Sequence, residues 1–178
     1  MGVYAVKQYL ETESNVEFLE LLDNGITHRG CEHIAKALHP KNPTKIQVLK
    51  LDHNQFGWYG MGYLAEGLAL NSTLRLLSLT YCGMDAQAAK YIFEILIYTK
   101  SALEEVNLSG NQLGNMGVVE VLKGASIAKN LKKLGLADNQ FSANEDENVL
   151  KMMTGCMRKN KKINKYDFKF NTFSDDGK

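Results

Sequence analysis

Three residues near the amino terminus carry side chains that bind zinc in many proteins: His28, Cys31 and His33. Imidazole nitrogen and thiolate sulfur are preferred zinc ligands, and a structural site needs four of them in a tetrahedral arrangement. On a helix Cys31 falls on the apolar stripe described below, and His33, two residues away, lies on another side. Because no second cluster of ligands completes the set, we predict no metal and no other cofactor.

The segment from Arg158 to Lys165, which reads RKNKKINK, is locally basic. A run of this kind can attract nucleic acid or an anionic membrane surface. Cations at the end of a predicted helix also complement the helix dipole. The whole chain carries 21 Lys and Arg against 20 Asp and Glu, a net charge of +1. We therefore favour a solvated helix end and predict that the chain binds neither nucleic acid nor membranes.

The sequence lacks the motifs that mark common enzymes, since it contains neither a glycine-rich phosphate-binding loop nor a nucleophile elbow. Its three cysteines are a poor disulfide framework. No apolar stretch approaches the roughly 20 residues that span a bilayer, and the amino terminus lacks a secretory signal. We predict a non-enzymatic protein without a small-molecule substrate. Its predicted location is the cytoplasm, with the nucleus, cytoskeleton or cilium as alternatives.

One pattern recurs six times along the chain: apolar, two residues, apolar, one residue, apolar, two residues, then Asn or Cys. The last positions are Asn24, Asn54, Cys82, Asn111, Asn139 and Asn171. They are separated by 30, 28, 29, 28 and 32 residues. Such self-similarity is the signature of a repeat architecture, in which each unit buries its apolar side against its neighbours.

Each unit predicts a short strand followed by a helix. The segment around the second and third apolar positions alternates, as a strand with one buried face does. Apolar residues then recur at helical spacing, as in Cys31, Ile34, Ala35 and Leu38 of the first unit and Ala89, Ile92, Phe93 and Leu96 of the third. We predict an α/β fold: a right-handed β/α solenoid, or horseshoe arc, with a parallel sheet on the concave side and helices on the convex side.

The domain organisation follows from these periods. We predict an amino-terminal capping helix over 1–15 and repeats over 16–45, 46–73, 74–102, 103–130, 131–162 and 163–178, the last one incomplete. We expect further chain or a partner to cover the carboxyl-terminal end, because solenoids need their terminal units capped. Ser142 is the expected helix cap of the fifth unit, but Glu145 and Asp146 depart from the pattern of the other units. A local distortion is therefore expected there.

The Asn or Cys at the end of each pattern is interpreted as architectural. An Asn side chain can satisfy backbone donors and acceptors that a turn leaves unpaired. Cys82 can occupy the same position as a small side chain that forms weak hydrogen bonds. We therefore predict that these six residues hold the turns together and bind no ligand.

The pattern resembles the leucine-rich-repeat family, and the repeat length resembles its ribonuclease-inhibitor-like subtype. Stretches such as LRLLSLTYCGMDAQAAKYIFEIL and LEEVNLSGNQLGNMGVVEVL carry the resemblance, which extends over about residues 16 to 178. The resemblance implies a scaffold or adaptor that binds another protein, and its cytoskeletal and ciliary members suggest such an assembly as the setting. A regulatory inhibitor or a regulator of the Ran GTPase-activating kind is the alternative, and in the latter an arginine such as Arg29 would stabilise transferring phosphate charge.

The candidate partner-binding residues lie on the predicted concave face and on the rim beside it. Apolar side chains in adjacent strands form an exposed patch that the fold itself does not require. Trp, Tyr and Arg are common in binding hot spots. Trp58 and Tyr59 start the predicted helix of the second repeat. The alternative to a binding role is that Trp58 packs on its own helix and Tyr59 covers the neighbouring one. The full set is Phe18, Leu22, Arg29, Val48, His53, Trp58, Tyr59, Leu76 and Tyr81.

Overall fold

A computed structural model describes residues 2–12, 15–42, 44–144 and 146–173. Strands and helices alternate along these residues. The strands are β1 (Phe18–Glu20), β2 (Val48–Lys50), β3 (Leu76–Ser78), β4 (Glu105–Asn107), β5 (Lys133–Gly135) and β6 (Lys165–Asp167). The helices are α1 (Gly2–Glu11), α2 (His28–Leu38), α3 (Gly57–Leu68), α4 (Ala89–Ile97), α5 (Gly114–Ile127) and α6 (Glu147–Lys159), and a 3-10 turn (Ala86–Ala88) precedes α4.

The six strands form one parallel sheet in the order in which they occur in the sequence. Each strand pairs with the next without a shift in register, so that Leu19, Leu49 and Leu77 lie side by side. This row continues through Val106, Leu134 and Tyr166. The parallel sheet, with a helix after each of its first five strands, confirms the predicted β/α solenoid.

The core lies between the sheet and the helices. Leu49, Leu77 and Leu134 are buried in it, and each such side chain contributes about 2 kcal/mol through removal from water. The helical stripes predicted from the sequence are buried as well, with one correction. Phe93 is half-buried, with its ring against Gly124 on the adjacent helix α5, and Ile95 is buried instead.

The Asn residues at the ends of the later repeats hold the turns together, as predicted, whereas Asn24 of the first repeat is exposed and its side chain donates to Leu22 in its own turn. The Oδ1 atom of Asn111 accepts hydrogen bonds from the backbone of Cys82 at 3.0 Å and Met84 at 3.1 Å. Its Nδ2 donates to the carbonyls of Leu79 at 2.9 Å and Leu108 at 2.7 Å. One side chain thus satisfies four backbone groups and links two repeats.

Asn54 and Cys82 occupy the same position in the preceding repeats. Asn54 accepts hydrogen bonds from the backbone of Asn24 at 3.0 Å and Ile26 at 2.9 Å. The Cys82 thiol lies 3.3 Å from the carbonyl oxygen of Leu51, to which it donates. The three cysteines, Cys31, Cys82 and Cys156, are buried and form no disulfide bonds.

The fifth repeat differs from the others, as expected, although its helix cap does not lie at Ser142. The backbone N–H of Ser142 donates to Asn115 at 2.8 Å, and Ser142 also forms a parallel bridge with Thr172. Because these contacts hold Ser142 in the turn, α6 starts later and is capped by Asp146, whose carboxylate accepts from the backbone of Asn148 at 2.9 Å.

Helix α1 packs on the first repeat. Its Leu10 is buried, and Val3 and Val6 are half-buried against the core. Lys7 and Glu11 form an ion pair of 2.6 Å along its surface. None of the helices in the described ranges has the length and apolar character that crossing a membrane requires.

Candidate functional site

The open face of the sheet is the face opposite the helices, and its first row of side chains is apolar over three strands. Phe18, Val48 and Leu76 are direct neighbours in the register of β1, β2 and β3. They alternate with the buried leucines, so they point away from the core. Phe18 is 67% exposed, and Val48 and Leu76 are half-buried. The structure thus brings three of the predicted binding residues together in one row.

A second row, polar in character, lies beside this apolar row. Glu20 and Lys50 form an ion pair of 2.6 Å, and Ser78 is their neighbour on β3. The hydrogen bond from Lys50 to Glu20 raises the pKa of the Lys50 ammonium. Leu22 lies beyond this row and is 42% exposed. The ion pair therefore separates Leu22 from Phe18, although both residues belong to the first repeat.

A buried carboxylate holds the turns at the ends of β2 and β3. One oxygen of Asp52 accepts hydrogen bonds from the Ser78 hydroxyl at 2.6 Å, the Thr80 backbone at 2.7 Å and the Thr80 hydroxyl at 2.8 Å. A buried charge is tolerated when several donors satisfy it. The site is therefore polar and rigid beneath the exposed rim.

His53 and Tyr81 form a stacked pair on the rim where the strands end. Their ring centroids lie 4.9 Å apart with an interplanar angle of 13°. Both residues have left-handed backbones, with φ of 59° and 52°, a conformation that costs a side-chain-bearing residue energy. The Tyr81 ring also lies on Gly110, and its hydroxyl donates to Asp138 at 3.4 Å. Tyr81 thus contacts residues of three other repeats along the rim.

Sequence reasoning did not identify Gly110 and Asp138 as neighbours of the candidate site. Each repeat places one residue in the left-handed conformation at this position: Asp23, His53, Tyr81, Gly110, Asp138 and Phe170. Gly110 is the one glycine among these six. The glycine could have been noticed in the sequence, because the other five repeats carry a side chain at this position. Its lack of a side chain leaves space for the Tyr81 ring of the preceding repeat.

Trp58 and Tyr59 lie in the first turn of α3, on the outer side of the rim. Their rings stack at a centroid distance of 3.7 Å. Trp58 is half-buried against the core, whereas Tyr59 is 62% exposed. His28 of the preceding repeat lies 6.3 Å from the Tyr59 ring. The Trp58 ring therefore supports the Tyr59 ring, which is exposed and available for contact with a partner.

Arg29 is exposed at the start of α2, where it lines a groove between α1 and the first repeat. Tyr4 and His33 line the same groove, and their rings meet edge to face at 5.5 Å. His33 therefore faces α1, whereas His28 faces Tyr59 and Cys31 is buried. Within the described ranges, no group of three His, Cys, Asp or Glu side chains could hold a metal.

The open face becomes charged over the last three strands. Glu105 and Lys133, on neighbouring strands, form an ion pair of 2.8 Å. Lys165 follows Lys133 in register on β6. The side chain of Asn107 lies over Gly135, where a Cβ would overlap its amide oxygen. The face is thus apolar at its amino-terminal half and charged at its carboxyl-terminal half.

Comparison with known proteins supports the repeat assignment. A family profile described as Leucine Rich repeat matches residues 100–122. Ribonuclease inhibitor of Mus musculus is 30% identical over 115 residues, which are 64% of this chain and 25% of the inhibitor. The chain thus spans about a quarter of the length of that relative.

Solved structures with the same fold have lower identity. The actin-binding site 2 of leiomodin-1 superimposes with a TM-score of 0.67 at 19% identity, over 88% of each chain. The carboxyl-terminal domain of tropomodulin from Caenorhabditis elegans superimposes with a TM-score of 0.66 at 13% identity. That match covers 89% of this chain and 95% of the domain.

Proposed function

Because the chain is a leucine-rich-repeat protein that resembles ribonuclease inhibitor, we propose that its open sheet face and the adjoining rim bind a partner protein. The exposed apolar row of Phe18, Val48 and Leu76 carries this proposal. The fold does not require these side chains, because the buried row beside them already fills the core. Apolar surface that is exposed and rigidly held gains free energy when a partner removes it from water.

The rim supplies the second part of the proposed site. Tyr59 and Tyr81 are exposed rings that their neighbours Trp58 and His53 hold in place by stacking. Rings that are already ordered lose little conformational entropy on binding. Aromatic side chains of this kind dominate the energetics of many protein interfaces. The contact would therefore extend from the apolar row across the rim to the start of α3.

The proposed role is that of a scaffold or adaptor, with a cytoskeletal or ciliary assembly as its setting. The likeness in fold to a domain named as an actin-binding site of leiomodin-1 supports this role. A regulatory inhibitor is the alternative, and the resemblance to ribonuclease inhibitor supports it. Both roles use the same face, so the experiment below tests the face first.

Affinity capture with the full chain as bait tests the proposal, with the captured partner quantified by mass spectrometry. The variant Phe18→Ala with Trp58→Ala removes the most exposed apolar residue of the row and the ring that supports Tyr59. Since Trp58 is half-buried, Phe18→Ala with Tyr59→Ala serves as a second variant that leaves the core intact. The matched control is Met116→Ala with Leu150→Ala, which removes exposed apolar side chains from α5 and α6.

We expect both face variants to lose the partner at least about tenfold, since two hot-spot truncations cost well over 1.4 kcal/mol. Circular dichroism should be unchanged, and the control variant should retain the partner. Full retention of the partner by the Phe18→Ala, Tyr59→Ala variant would refute the proposed face. Loss with the control variant alone would place the contact on the helices.

A further inference from the structure

Four exposed lysines gather where the chain enters the last two strands: Lys129, Lys161, Lys162 and Lys165, here called the basic cluster. Backbone contacts hold the two segments that carry them side by side. The backbone of Asn164 donates to Lys132 at 2.9 Å, and the amide of Asn160 donates to Ala128 at 2.8 Å. The Lys162 ammonium itself reaches the carbonyl of Lys129 at 2.5 Å. The cluster is therefore one surface built from two repeats.

The charges of the basic cluster are not neutralised within the described ranges, where none of its four ammonium groups forms an ion pair. The neighbouring lysines differ in this respect. Lys132 pairs with Glu104 at 2.8 Å, and Lys133 pairs with Glu105 at 2.8 Å. The chain as a whole carries a net charge of only +1. The cluster is thus a local excess of positive charge on a nearly neutral protein, which attracts an anionic group.

The basic cluster adjoins the face proposed to bind the partner. Lys165 lies on β6, in register with Lys133 on β5. The apolar row covers β1 to β3, so Lys165 and this row belong to one sheet. Lys129, Lys161 and Lys162 lie at the edge where β5 and β6 begin. With strands about 4.8 Å apart, the middle of the apolar row lies roughly 17 Å from the strands β5 and β6. One segment of a partner can therefore contact both surfaces.

We propose that the basic cluster binds an acidic segment of the partner protein, a proposal that rests on the proposed function of the open face. The carboxylates of Glu104, Glu105 and Asp167 line the same edge and face. A nucleic acid backbone carries about one charge per 1.7 Å of duplex and would bring phosphates against these carboxylates. An extended peptide carries at most one acidic side chain per about 3.3 Å, so acidic residues placed at intervals along it can lie between these carboxylates.

The separation of the two surfaces defines the spacing of the recognised segment. A helix rises 1.5 Å per residue, so a helical segment along the sheet places its acidic residues about 11 positions from its apolar residues. An extended segment rises about 3.3 Å per residue and places them about five positions apart. The partner's apolar residues then lie over β1 to β3, and its acidic residues lie over β5 and β6.

Fluorescence anisotropy with a labelled peptide of about ten residues, in which glutamate alternates with serine, tests this proposal at low and high salt. The variant replaces Lys129, Lys161 and Lys165 with Gln. The control replaces Lys41, Lys90 and Lys100 with Gln, which removes the same total charge from exposed lysines elsewhere. A DNA duplex of about ten base pairs and vesicles with anionic lipid are the competing probes.

We expect the peptide to bind the wild-type chain at low salt and to bind the cluster variant about tenfold more weakly. The control variant should bind like the wild type, and 1 M salt should abolish binding. Absence of peptide binding, or equal weakening in both variants, overturns the proposal. Stronger, cluster-dependent binding of the DNA or of the vesicles overturns it in favour of that ligand. The Phe18→Ala, Tyr59→Ala variant should bind the peptide normally. Failure of the basic-cluster proposal is therefore distinguishable from failure of the proposed binding face.

Discussion

The ring of Tyr81 lies directly on the α-carbon of Gly110, so that a methyl group at residue 110 would overlap the ring. Gly110 has a φ of 72° and occupies the same position in its repeat as Tyr81 does in the preceding one. The glycine therefore has two roles, since it tolerates the left-handed backbone and leaves space for the ring. This relationship orients Tyr81 on the rim and can be tested by substitution.

Gly110→Ala is predicted to lower the free energy of unfolding more than Gly114→Ala does. Both glycines have left-handed backbones, so both substitutions add about 1 kcal/mol of backbone strain. Only the added methyl group at residue 110 meets the Tyr81 ring, since nothing lies within 4 Å of a Cβ at Gly114. Overpacking of this kind costs about 1–3 kcal/mol more. Urea denaturation measures the difference, which should vanish in a Tyr81→Ala background. A difference that persists there would contradict the contact.

Asn111→Ala is predicted to be among the most destabilising substitutions of a polar residue in the chain. It leaves the backbone groups of two adjacent turns without partners, and each unsatisfied buried group costs about 1–3 kcal/mol. We expect a loss of at least about 3 kcal/mol in urea denaturation. Asn24→Ala is the control, because Asn24 is exposed and its amide makes one hydrogen bond of 2.7 Å, to Leu22. A similar loss in both variants would refute the architectural role of Asn111.

The sequence predicted the parts of the fold that depend on periodicity. The spacing of Leu49, Leu77 and their counterparts specifies the buried row, since each repeat must place its apolar residues against the next one. The position of the helix cap at Asp146 was not predictable, because the contacts that keep Ser142 in the turn come from Asn115 and Thr172 in other repeats. The pattern of residues within one repeat does not predict such contacts with other repeats.

The candidate site was predictable only in part. The row of Phe18, Val48 and Leu76 follows from strand register and was found from the alternation. The ion pair between Glu20 and Lys50, which separates Leu22 from that row, depends on side-chain conformations that sequence spacing does not define. The stacking of His53 on Tyr81 likewise depends on their left-handed backbones and on the space above Gly110.

Cys82→Asn is predicted to reduce the loss of stability at alkaline pH. Burial raises the pKa of the Cys82 thiol from 9.0 to about 12. The unfolded chain therefore loses this proton first as the pH rises, and stability falls between about pH 9 and pH 12. Asn at this position does not titrate and matches the other repeats. Between pH 7 and pH 10.5 we expect the wild type to lose about 1–2 kcal/mol more than the variant in urea denaturation. Equal losses would contradict the prediction.

The exposed row and the buried row should differ sharply in their effect on stability. Phe18→Ser removes an exposed side chain and should change the free energy of unfolding by no more than about 0.5 kcal/mol. Leu49→Ala creates a cavity in the core and should cost about 2–5 kcal/mol. Thermal and urea denaturation of the two variants give both values. A large loss for Phe18→Ser would mean that this residue serves the fold, which would weaken the proposed binding role.

Hydrogen–deuterium exchange of the full chain, measured with and without its captured partner, tests the proposed binding face most directly. The account predicts slower exchange in the partner complex within residues 18–22, 48–59 and 76–81, which carry the apolar row and the rim. Exchange in α4 and α5 should be unchanged, because these helices lie on the opposite side of the sheet. Protection confined to α4 and α5, with unchanged exchange at Phe18 and Tyr81, would contradict the account.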